Sequence, residues 1–308
     1  MSRFISTSEF YKKIFGGKVY KIALDAGCTC PNRDGSKGWG GCIFCSERGS
    51  GDFIPSGENS IKNQIEKAKL LVHSKLRGRG GKNDGKYIVY FQNFTSTYGN
   101  YWELIKKYDE ALAQPDIVGL AIGTRPDCLG DEILEYLSAK SEHFFVQLEL
   151  GLQTSNELTG KIINRCYTNE DYVLAVNRIR NHAPKIHLVT HVIFGLPGET
   201  HDDMMSTIRF VSEKSLLGSN IFCPSGIKIT VLYVVKNTVL AKMYENGEFD
   251  CLEKSEYYEL LKTALKILPS GTVIHRLTGD PPKSILIAPA WTTDKKRVMN
   301  EIRKIMSL

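Results

Sequence analysis

Residues 19–45 read VYKIALDAGCTCPNRDGSKGWGGCIFC, a short apolar run followed at once by a loop with four cysteines. The run Val19–Asp25 has the apolar composition of a buried strand. In the loop, Cys42 and Cys45 form a Cys-x2-Cys pair, a spacing that lets two thiolates bind one metal centre from a tight turn. Cys30 precedes them across a stretch rich in Gly, Pro and Asn that can fold back. The segment therefore predicts metal or redox chemistry where the first strand ends.

The spacing of the cysteines leaves three uses open. Three thiolates on a cubane iron–sulfur cluster leave one iron free to bind a chelating substrate. Four thiolates, with Cys28 included, would suit a tetrahedral zinc ion, although the pair Cys28-x-Cys30 is tighter than the usual zinc spacing. Redox use is the third possibility. The remaining cysteines have the default interpretation of small buried hydrophobes: Cys128, Cys166, Cys223 and Cys251.

Strand-like and helix-like segments alternate outward from this loop. The predicted strands are Val19–Asp25, Tyr87–Gln92, Ile117–Gly123, Phe144–Leu150, Ile186–Phe194 and Ile227–Val235. The predicted helices are Ile61–Leu76, Tyr101–Ala113, Asp131–Ala139, Asn169–Asn181 and Asp203–Glu213. Such alternation implies an α/β fold with a parallel sheet and right-handed crossovers. Six units predict a curved, partly closed barrel with its ligands at the carboxyl ends of the strands.

The alternation fades after Val235. We therefore predict a core barrel with an N-terminal extension over residues 1–235 and a C-terminal extension packed on it over residues 236–308. The elements predicted in that extension are two helices and a short strand, Ser255–Leu268, Asp294–Met306 and Val273–Leu277. The composition of Gly78–Gly85, GRGGKNDG, predicts a flexible loop.

The bulk composition excludes several classes of protein. The 308 residues are 42% hydrophobic, enough for a sizeable core, and the net charge of +6 permits a polyanionic partner without demanding one. Residues 1–21 hold no apolar run typical of a signal peptide, and no apolar stretch is long enough to cross a bilayer. Eight unevenly spaced cysteines do not suit a disulfide scaffold. These features predict a cytoplasmic protein with no membrane partner.

The cysteine loop resembles that of the radical-SAM superfamily, and it is most similar to the YhcC-like branch, in which the usual Cys-x3-Cys-x2-Cys loop is longer. Later motifs resemble, in the same order, those of the Elongator catalytic subunit and the oxygen-independent coproporphyrinogen oxidases. The resemblance covers roughly residues 18–282. Several ordered motifs are more specific than any one of them. They are GTRPD at 123–127, ELGLQT at 149–154, INR at 163–165, HVIFGLPGET at 191–200 and RLTGDP at 276–281.

The resemblance implies a partial (β/α)6 TIM-like barrel of the radical-SAM type with a C-terminal extension. It implies a 4Fe–4S cluster on Cys30, Cys42 and Cys45, with Cys28 outside the ligand set. It also implies that S-adenosyl-L-methionine is cleaved reductively to a 5′-deoxyadenosyl radical, with electrons from a donor such as flavodoxin or ferredoxin. The cofactors supply this chemistry, and the protein orients them. The resemblance assigns no residue a catalytic role.

Two residues match positions that hold S-adenosylmethionine in the related families. Gln153 and Arg165 match positions that bind the ribose and the methionyl carboxylate, and the planar fork of an arginine suits a carboxylate. The simpler interpretation of Arg165 is that it is a solvated residue on a surface helix. Because Gly123 stands where Elongator-like relatives carry a glutamate, Glu149 at the end of the fourth strand is the candidate for the ribose hydroxyls.

Four further positions complete the expected cofactor site. Gln92 and Asn93 follow the second strand, where related enzymes carry Gly-Gly-Glu, and are candidates for the methionyl amine together with Thr95. His191 matches a position that is acidic in some relatives and histidine in the Elongator group, although a core histidine is the commoner case. Gly195 can bring backbone close to the adenine, or the GLPGET segment is simply a turn with Thr200 as helix N-cap.

Two basic clusters bear on the substrate. They lie within 62–86 and 295–304, and by themselves they are most simply solvated helix faces, with Val298, Ile302 and Ile305 buried behind the second. With an Elongator-like core, they become candidates for phosphate contacts. The resemblance implies tRNA as substrate and conversion of a wobble 5-carboxymethylaminomethyluridine toward 5-aminomethyluridine. The alternatives are a small-metabolite substrate, and a zinc-stabilised nucleic-acid-binding protein without catalysis.

Overall fold

A computed structural model describes residues 3–49, 51, 54, 60–77, 85–217 and 223–306. Its strands are β1 Ile5–Ser6, β2 Val19–Leu24, β3 Lys86–Phe91, β4 Ile117–Thr124, β5 Phe145–Gln153, β6 His187–Phe194, β7 Gly226–Val231, β8 Val234–Val235, β9 Val273–Arg276 and β10 Leu286–Ala288. Its helices are α1 Thr7–Phe15, α2 Ile61–Arg77, α3 Tyr101–Leu112, α4 Asp131–Lys140, α5 Glu157–Ile162, α6 Asn169–His182, α7 His201–Val211, α8 Val239–Glu245, α9 Lys254–Ile267 and α10 Lys295–Met306.

The main sheet has eight strands in the order β1-β9-β7-β6-β5-β4-β3-β2, and every pairing in it is parallel. This is the curled half-barrel that strand–helix alternation produces when the crossovers are right-handed. The predicted parallel α/β barrel is thus confirmed, and five of the six predicted barrel strands, with the first part of the sixth, lie in this sheet. The segment predicted as one strand at Ile227–Val235 divides into β7 and β8, and β8 pairs with β10 in a separate antiparallel ribbon.

The C-terminal part of the chain adds to the sheet as well as packing on it. Strand β9 lies between β7 and the N-terminal strand β1, so the sheet is two strands wider than the six-unit prediction. Helix α9 packs on α7 and α10 packs on α9. Val298, Ile302 and Ile305 are buried on α10, as its apolar stripe predicts. The division at residue 235 remains a prediction.

Helix α1 closes the amino-terminal end of the barrel. Ser6 and Glu9 form a capping box at its start, which satisfies backbone donors of the first turn. Phe10 packs on the rings of Phe145 and His187, the first residues of β5 and β6. With that end closed, the carboxyl ends of the strands remain as the place for ligands, where barrels position their chemistry.

Two predictions concern segments at the margin of the structure. The loop Gly78–Gly85 lies outside the described residues apart from Gly85, and so do Arg79 and Lys82 of the first basic cluster. At the start of α7, Thr200 and Asp203 form a capping box, so the expected N-cap is confirmed. None of the helices in the described part of the chain is long and apolar enough to span a lipid bilayer.

Candidate active site

The cysteine loop follows β2 and is fastened to the turn after α5. Within the loop, the Arg33 amide donates to the Cys30 carbonyl at 2.7 Å and the Cys45 amide donates to the Cys42 carbonyl at 2.9 Å. The side chain of Asn32 donates to the carbonyl oxygen of Asn164 at 2.6 Å. The Asn164 side chain in turn donates to the carbonyl oxygens of Trp39 and Gly41, at 2.9 and 2.8 Å. These reciprocal amide bonds hold the long loop folded back.

Three of the loop thiols lie within electrostatic reach of one another. The pKa of the Cys42 thiol is raised to about 12, chiefly by burial and also by the neighbouring Cys45, Cys30 and Cys166, against the opposing charge of Arg125. Bound cations reverse such a shift and deprotonate a coordinating thiol. Among the described residues, no three Cys, His, Asp or Glu side chains are grouped so that they could hold a metal ion. Cys42 nevertheless lies within electrostatic reach of Cys30 and Cys45, the other two members of the predicted ligand set.

Cys28 stands apart from this trio. It packs against the main hydrophobic core, and burial raises its pKa to about 11. The charged groups that act on it are Lys107 and Asp25, and no other cysteine of the loop is among them. The structure therefore gives Cys28 the surroundings of a core residue, in line with its exclusion from the predicted ligand set.

Arg125 is a neighbour of the thiols that the sequence reasoning did not single out. It interacts electrostatically with Cys30, and its guanidinium donates to the carbonyl oxygen of Arg165 at 3.1 Å. Burial works to lower the pKa of Arg125, but the hydrogen bonds and charge of Asp127 outweigh it, so the pKa is raised. Arg125 therefore provides a permanent positive charge beside the cysteine loop. The sequence feature that could have identified Arg125 is its position in the GTRPD motif at 123–127.

The surroundings of Arg165 differ from those that its predicted role implies. It is fully buried in the turn after α5, not solvated on a helix. Its five N–H donors are all used inside the protein, which leaves none for a methionyl carboxylate. Its partners are the carbonyl oxygens of Leu152, Thr154 and Tyr167 and the side chains of Glu157 and Asn169. Arg165 therefore stabilises the turn to which the cysteine loop is hydrogen-bonded.

Glu149 also differs from expectation. Strand β5 continues to Gln153, so Glu149 lies in the middle of the strand and not at its end. Its carboxylate accepts from Lys21 at 2.8 Å, from Gln147 at 2.6 Å, and from Tyr90 and Lys228. Burial would raise the pKa of Glu149, but the two ammonium groups hold it well below its usual range. Four donors fill the carboxylate's lone-pair sites, so a ribose has no acceptor here.

A cavity of about 760 Å³ opens beside the cysteine loop. It brings together Cys45, Gln92 and His191 among the predicted site residues, and Lys228 and Arg276 line it too. His191 shares a hydrogen bond of 3.0 Å with the Thr230 hydroxyl. Burial, with the charge of Lys228 nearby, lowers the pKa of His191 to about 3, so this imidazole is neutral. The lining of the cavity does not include Asn93, Glu149, Gln153, Arg165 or Gly195.

Two buried polar atoms next to the loop have no partner. Asn93 Oδ1 and Thr95 Oγ1 make no hydrogen bond to any described residue. The Thr95 amide donates to the Thr29 carbonyl at 3.3 Å, which places Thr95 beside Cys30. Orphaned buried acceptors are rare and costly. They fit the predicted contact with the amine of a bound methionyl group, which would supply the missing donors.

Gln153 and Gly195 both have left-handed backbone. Gln153 has a φ of 64° and its side-chain oxygen accepts from the Tyr167 hydroxyl at 2.6 Å. This conformation is uncommon for a residue with a side chain and concentrates at functional sites. Gly195 has a φ of 85°, and a Cβ there would lie 2.9 Å from the Leu252 side chain. The glycine thus serves a turn packed under Leu252, and an adenine at that face would meet this side chain.

A parallel half-barrel with a thiol-bearing loop after its first full-length strand is the architecture of an α/β enzyme that uses a metal cluster. Family comparison makes the assignment definite. The radical SAM superfamily model matches residues 30–211, and the radical SAM C-terminal domain model matches residues 224–307. The chain belongs to the radical SAM superfamily. It is a radical SAM enzyme, whose cofactors are a 4Fe–4S cluster and S-adenosylmethionine, and the non-catalytic zinc alternative is wrong.

Within the superfamily the chain belongs with the YhcC and YtqA proteins. It is 39% identical to the uncharacterized protein YtqA of Bacillus subtilis over 98% of this chain and 89% of YtqA. It is 32% identical to protein YhcC of Escherichia coli K12 over 95% of this chain and 89% of YhcC. The fold matches the archaeal Elp3 of Methanocaldococcus infernus with a TM-score of 0.63 and 17% identity, covering 93% of this chain and 63% of Elp3.

More distant relatives carry names of tRNA-modifying enzymes. The chain is 27% identical to a tRNA uridine(34) acetyltransferase of Dehalococcoides mccartyi, over 57% of this chain and 36% of that protein. It is 25% identical to a tRNA-2-methylthio-N(6)-dimethylallyladenosine synthase of Fusobacterium nucleatum, over 73% of this chain and 48% of that protein. The superfamily members related to this chain therefore include enzymes of tRNA modification.

Proposed function

We propose that this chain modifies the wobble uridine of tRNA, with its 4Fe–4S cluster on Cys30, Cys42 and Cys45. The observation that carries the proposal is Cys45 in the lining of a cavity, with Cys42 and Cys30 in electrostatic contact beside it, in a chain related to tRNA-modifying enzymes. The cluster and S-adenosylmethionine, when bound, supply reductive cleavage and a radical that takes a hydrogen atom from the substrate. A small electron-transfer protein such as flavodoxin or ferredoxin provides the electron, and the reaction takes place in the cytoplasm.

The chain's own residues position the reactants. Asn93 and Thr95 offer unpartnered oxygens to the methionyl ammonium, with Gln92 beside them at the end of β3. Gln153, held by Tyr167, contacts the ribose. Arg125 keeps a positive charge beside Cys30, which stabilises the anionic thiolates. The neutral imidazole of His191 faces the cavity as a hydrogen-bonding group for the substrate.

The specific reaction is oxidative removal of the carboxymethyl group from a 5-carboxymethylaminomethyl side chain. Loss of a hydrogen atom from the carbon between the nitrogen and the carboxylate, followed by loss of one electron that the bound cluster would take back, would give an imine, and water would cleave its C–N bond to leave 5-aminomethyl and release glyoxylate. Support comes from the ordered motifs, which within the YhcC-like family resemble those of MnmL, and from the relative named for uridine 34. We expect tRNA from cells lacking this gene to accumulate 5-carboxymethylaminomethyluridine and to lose 5-aminomethyluridine and the nucleosides made from it. Mass spectrometry of digested tRNA measures both. Complementation with a Cys42→Ala variant is the control. A nucleoside profile that is the same in wild-type and deletion cells would contradict the proposal that tRNA is the substrate.

The size of the cavity also suits a second class of substrate, a small metabolite. A volume of about 760 Å³ lies in the range that small-molecule sites occupy. A radical SAM enzyme acting on a free metabolite would need no tRNA affinity. The purified protein would then produce 5′-deoxyadenosine faster with the metabolite, while tRNA would have no effect.

The basic helix α10 gives a prediction for tRNA binding. Lys296 and Arg303 are exposed on the polar side of α10, opposite its buried stripe. If they contact phosphates, Lys296→Glu with Arg303→Glu should weaken tRNA binding and reduce the slope of log affinity against log salt by about 1 per lost contact. Fluorescence anisotropy at several salt concentrations measures the slope. The charge-reversal variant Arg209→Glu, on the outer face of α7, is the matched control.

A tRNA affinity that does not depend on salt would contradict the phosphate role of α10. The parallel prediction for Arg77, Arg79 and Lys82 concerns side chains outside the described residues, and the same titration applies to their reversal. Cleavage of S-adenosylmethionine without tRNA should stay nearly unchanged in both charge-reversal variants, because neither group of basic residues lies in the cysteine loop.

A further inference from the structure

Arg276 projects into the cavity without a partner. It is the first residue of the RLTGDP motif and the last of β9, and its side chain lines the cavity wall. No hydrogen bond or ion pair joins its guanidinium to any residue in the described part of the chain. The other cations at this wall are engaged, since Lys21 and Lys228 bind Glu149 and Lys295 binds Asp280 at 2.5 Å. Arg276 therefore has its whole donor fork available for a ligand.

A β-bulge aims Arg276 at the cavity. Strand alternation would place Arg276 on the same face as Ile274, which belongs to the core between the sheet and the helices. The register shifts here, because Ile227 pairs with Ile274 whereas Lys228 pairs with Arg276. His275 and Arg276 consequently both line the cavity. Bulges commonly re-aim a side chain beside an active site.

The same wall carries more positive than negative charge. Lys21, Lys228 and Arg276 all act electrostatically on this region, and Glu149 is the carboxylate they surround. The pKa of Lys228 falls to about 7 because the group is buried and because Lys21 and Arg276 lie close, which Glu149 offsets only in part. An anion bound beside Arg276 would relieve this repulsion. The wall is therefore suited to a small anion of planar, bidentate geometry.

We infer that Arg276, with Lys228 behind it, forms a carboxylate subsite that receives the carboxymethyl group of the substrate side chain. This inference rests on the proposed function, which supplies a substrate with one carboxylate on a flexible arm. The product side chain, 5-aminomethyl, has lost that carboxylate and carries an ammonium group. Both side chains carry a protonated amine, so the carboxylate is what distinguishes them, and the subsite selects the substrate and favours release of the product.

The test compares two anticodon stem-loops, one carrying 5-carboxymethylaminomethyluridine and the other 5-aminomethyluridine. Affinity of the cluster-loaded enzyme for each is measured by anisotropy. The wild type should prefer the first by about ten- to a hundredfold, and Arg276→Gln should reduce the preference to about twofold, since a charged contact is lost. Arg276→Lys should recover part of it, because a point charge lacks the planar fork. Arg209→Gln, an exposed arginine on α7, should behave as wild type.

Three controls separate the inference from the proposed function. Thermal unfolding checks the variants, which should fold because Arg276 is exposed and unpartnered. Calorimetry with S-adenosylmethionine should give equal affinity for wild type and Arg276→Gln, and a tenfold loss would assign Arg276 to the cofactor and overturn the inference. A preference that survives Arg276→Gln would also overturn it.

The free nucleoside 5-carboxymethylaminomethyluridine serves as a probe that does not depend on tRNA. Ligand-observed NMR should detect its binding to wild type and a clear loss with Arg276→Gln. If stem-loops fail to bind while the nucleoside binds through Arg276, the tRNA substrate is wrong and the carboxylate subsite stands. If the wild type binds neither, the subsite is wrong.

Discussion

Replacing Cys30, Cys42 or Cys45 with Ala is expected to remove most of the bound iron and sulfide and to abolish cleavage of S-adenosylmethionine. In the proposed site each of the three thiolates would hold one iron of the 4Fe–4S cluster, so the loss of one would leave the cluster without a needed protein ligand. Cys45 and Cys30 both act electrostatically on the Cys42 thiol in the folded chain. Iron and sulfide analysis after anaerobic reconstitution, together with 5′-deoxyadenosine production, measures the effect.

Cys28→Ala is the matched control, because it removes a thiol from the same loop. Cys28 packs on the hydrophobic core and no other loop thiol acts on it, so this variant should keep its cluster. Cys166→Ala is a second control, since Cys166 is exposed and lies near Cys42. If Cys28→Ala loses iron as fully as the other three variants, the ligand assignment is wrong.

Arg165→Ala is expected to destabilise the fold by several kcal/mol, because it leaves buried carbonyl oxygens without a donor, at about 1–3 kcal/mol for each unsatisfied group. The guanidinium bonds three backbone carbonyls and two side chains. The Arg165 carbonyl also accepts from Asn32 and Arg125, which tie the cysteine loop to this turn. Chemical unfolding of the variant gives the change in free energy, and cluster content should fall with it.

Arg297→Ala is the comparison for this prediction, because Arg297 makes an exposed i,i+4 pair with Glu301. Such pairs stabilise by about 0.3–0.5 kcal/mol. The same experiment decides between two roles for Arg165. A variant as stable as wild type that binds S-adenosylmethionine ten- to a hundredfold more weakly would restore the carboxylate-binding role and contradict the structural one.

Periodicity and the cysteine spacing predicted the parts of the molecule that depend on local sequence. The predicted strands Val19–Asp25 and Ile186–Phe194 correspond to β2 and β6, because strands of a parallel sheet covered by helices are rich in apolar residues. The glycine-rich cysteine loop marked the carboxyl end of the first full-length strand. The capping residue Thr200 marked the start of α7, since an N-cap acts on its own helix.

The missed features depend on contacts between distant segments. Strand β1 is two residues long and exists because β9 pairs with it. The environment of Glu149 comes from three other strands, and that of Arg165 from the turn after β5. The bulge that turns Arg276 inward shows no signature in its own residues. A motif therefore located these side chains in the fold without showing what each one binds.

The measurement that tests the account most directly is a single-turnover assay with purified, cluster-loaded enzyme. Reductant, S-adenosylmethionine and tRNA carrying 5-carboxymethylaminomethyluridine are combined, and nucleosides and 5′-deoxyadenosine are quantified by mass spectrometry. The account predicts that 5-aminomethyluridine appears in proportion to 5′-deoxyadenosine, and that both are absent with Cys42→Ala. If the wild-type enzyme forms 5′-deoxyadenosine at a rate that tRNA does not change, and the nucleoside stays intact, the proposed substrate is wrong.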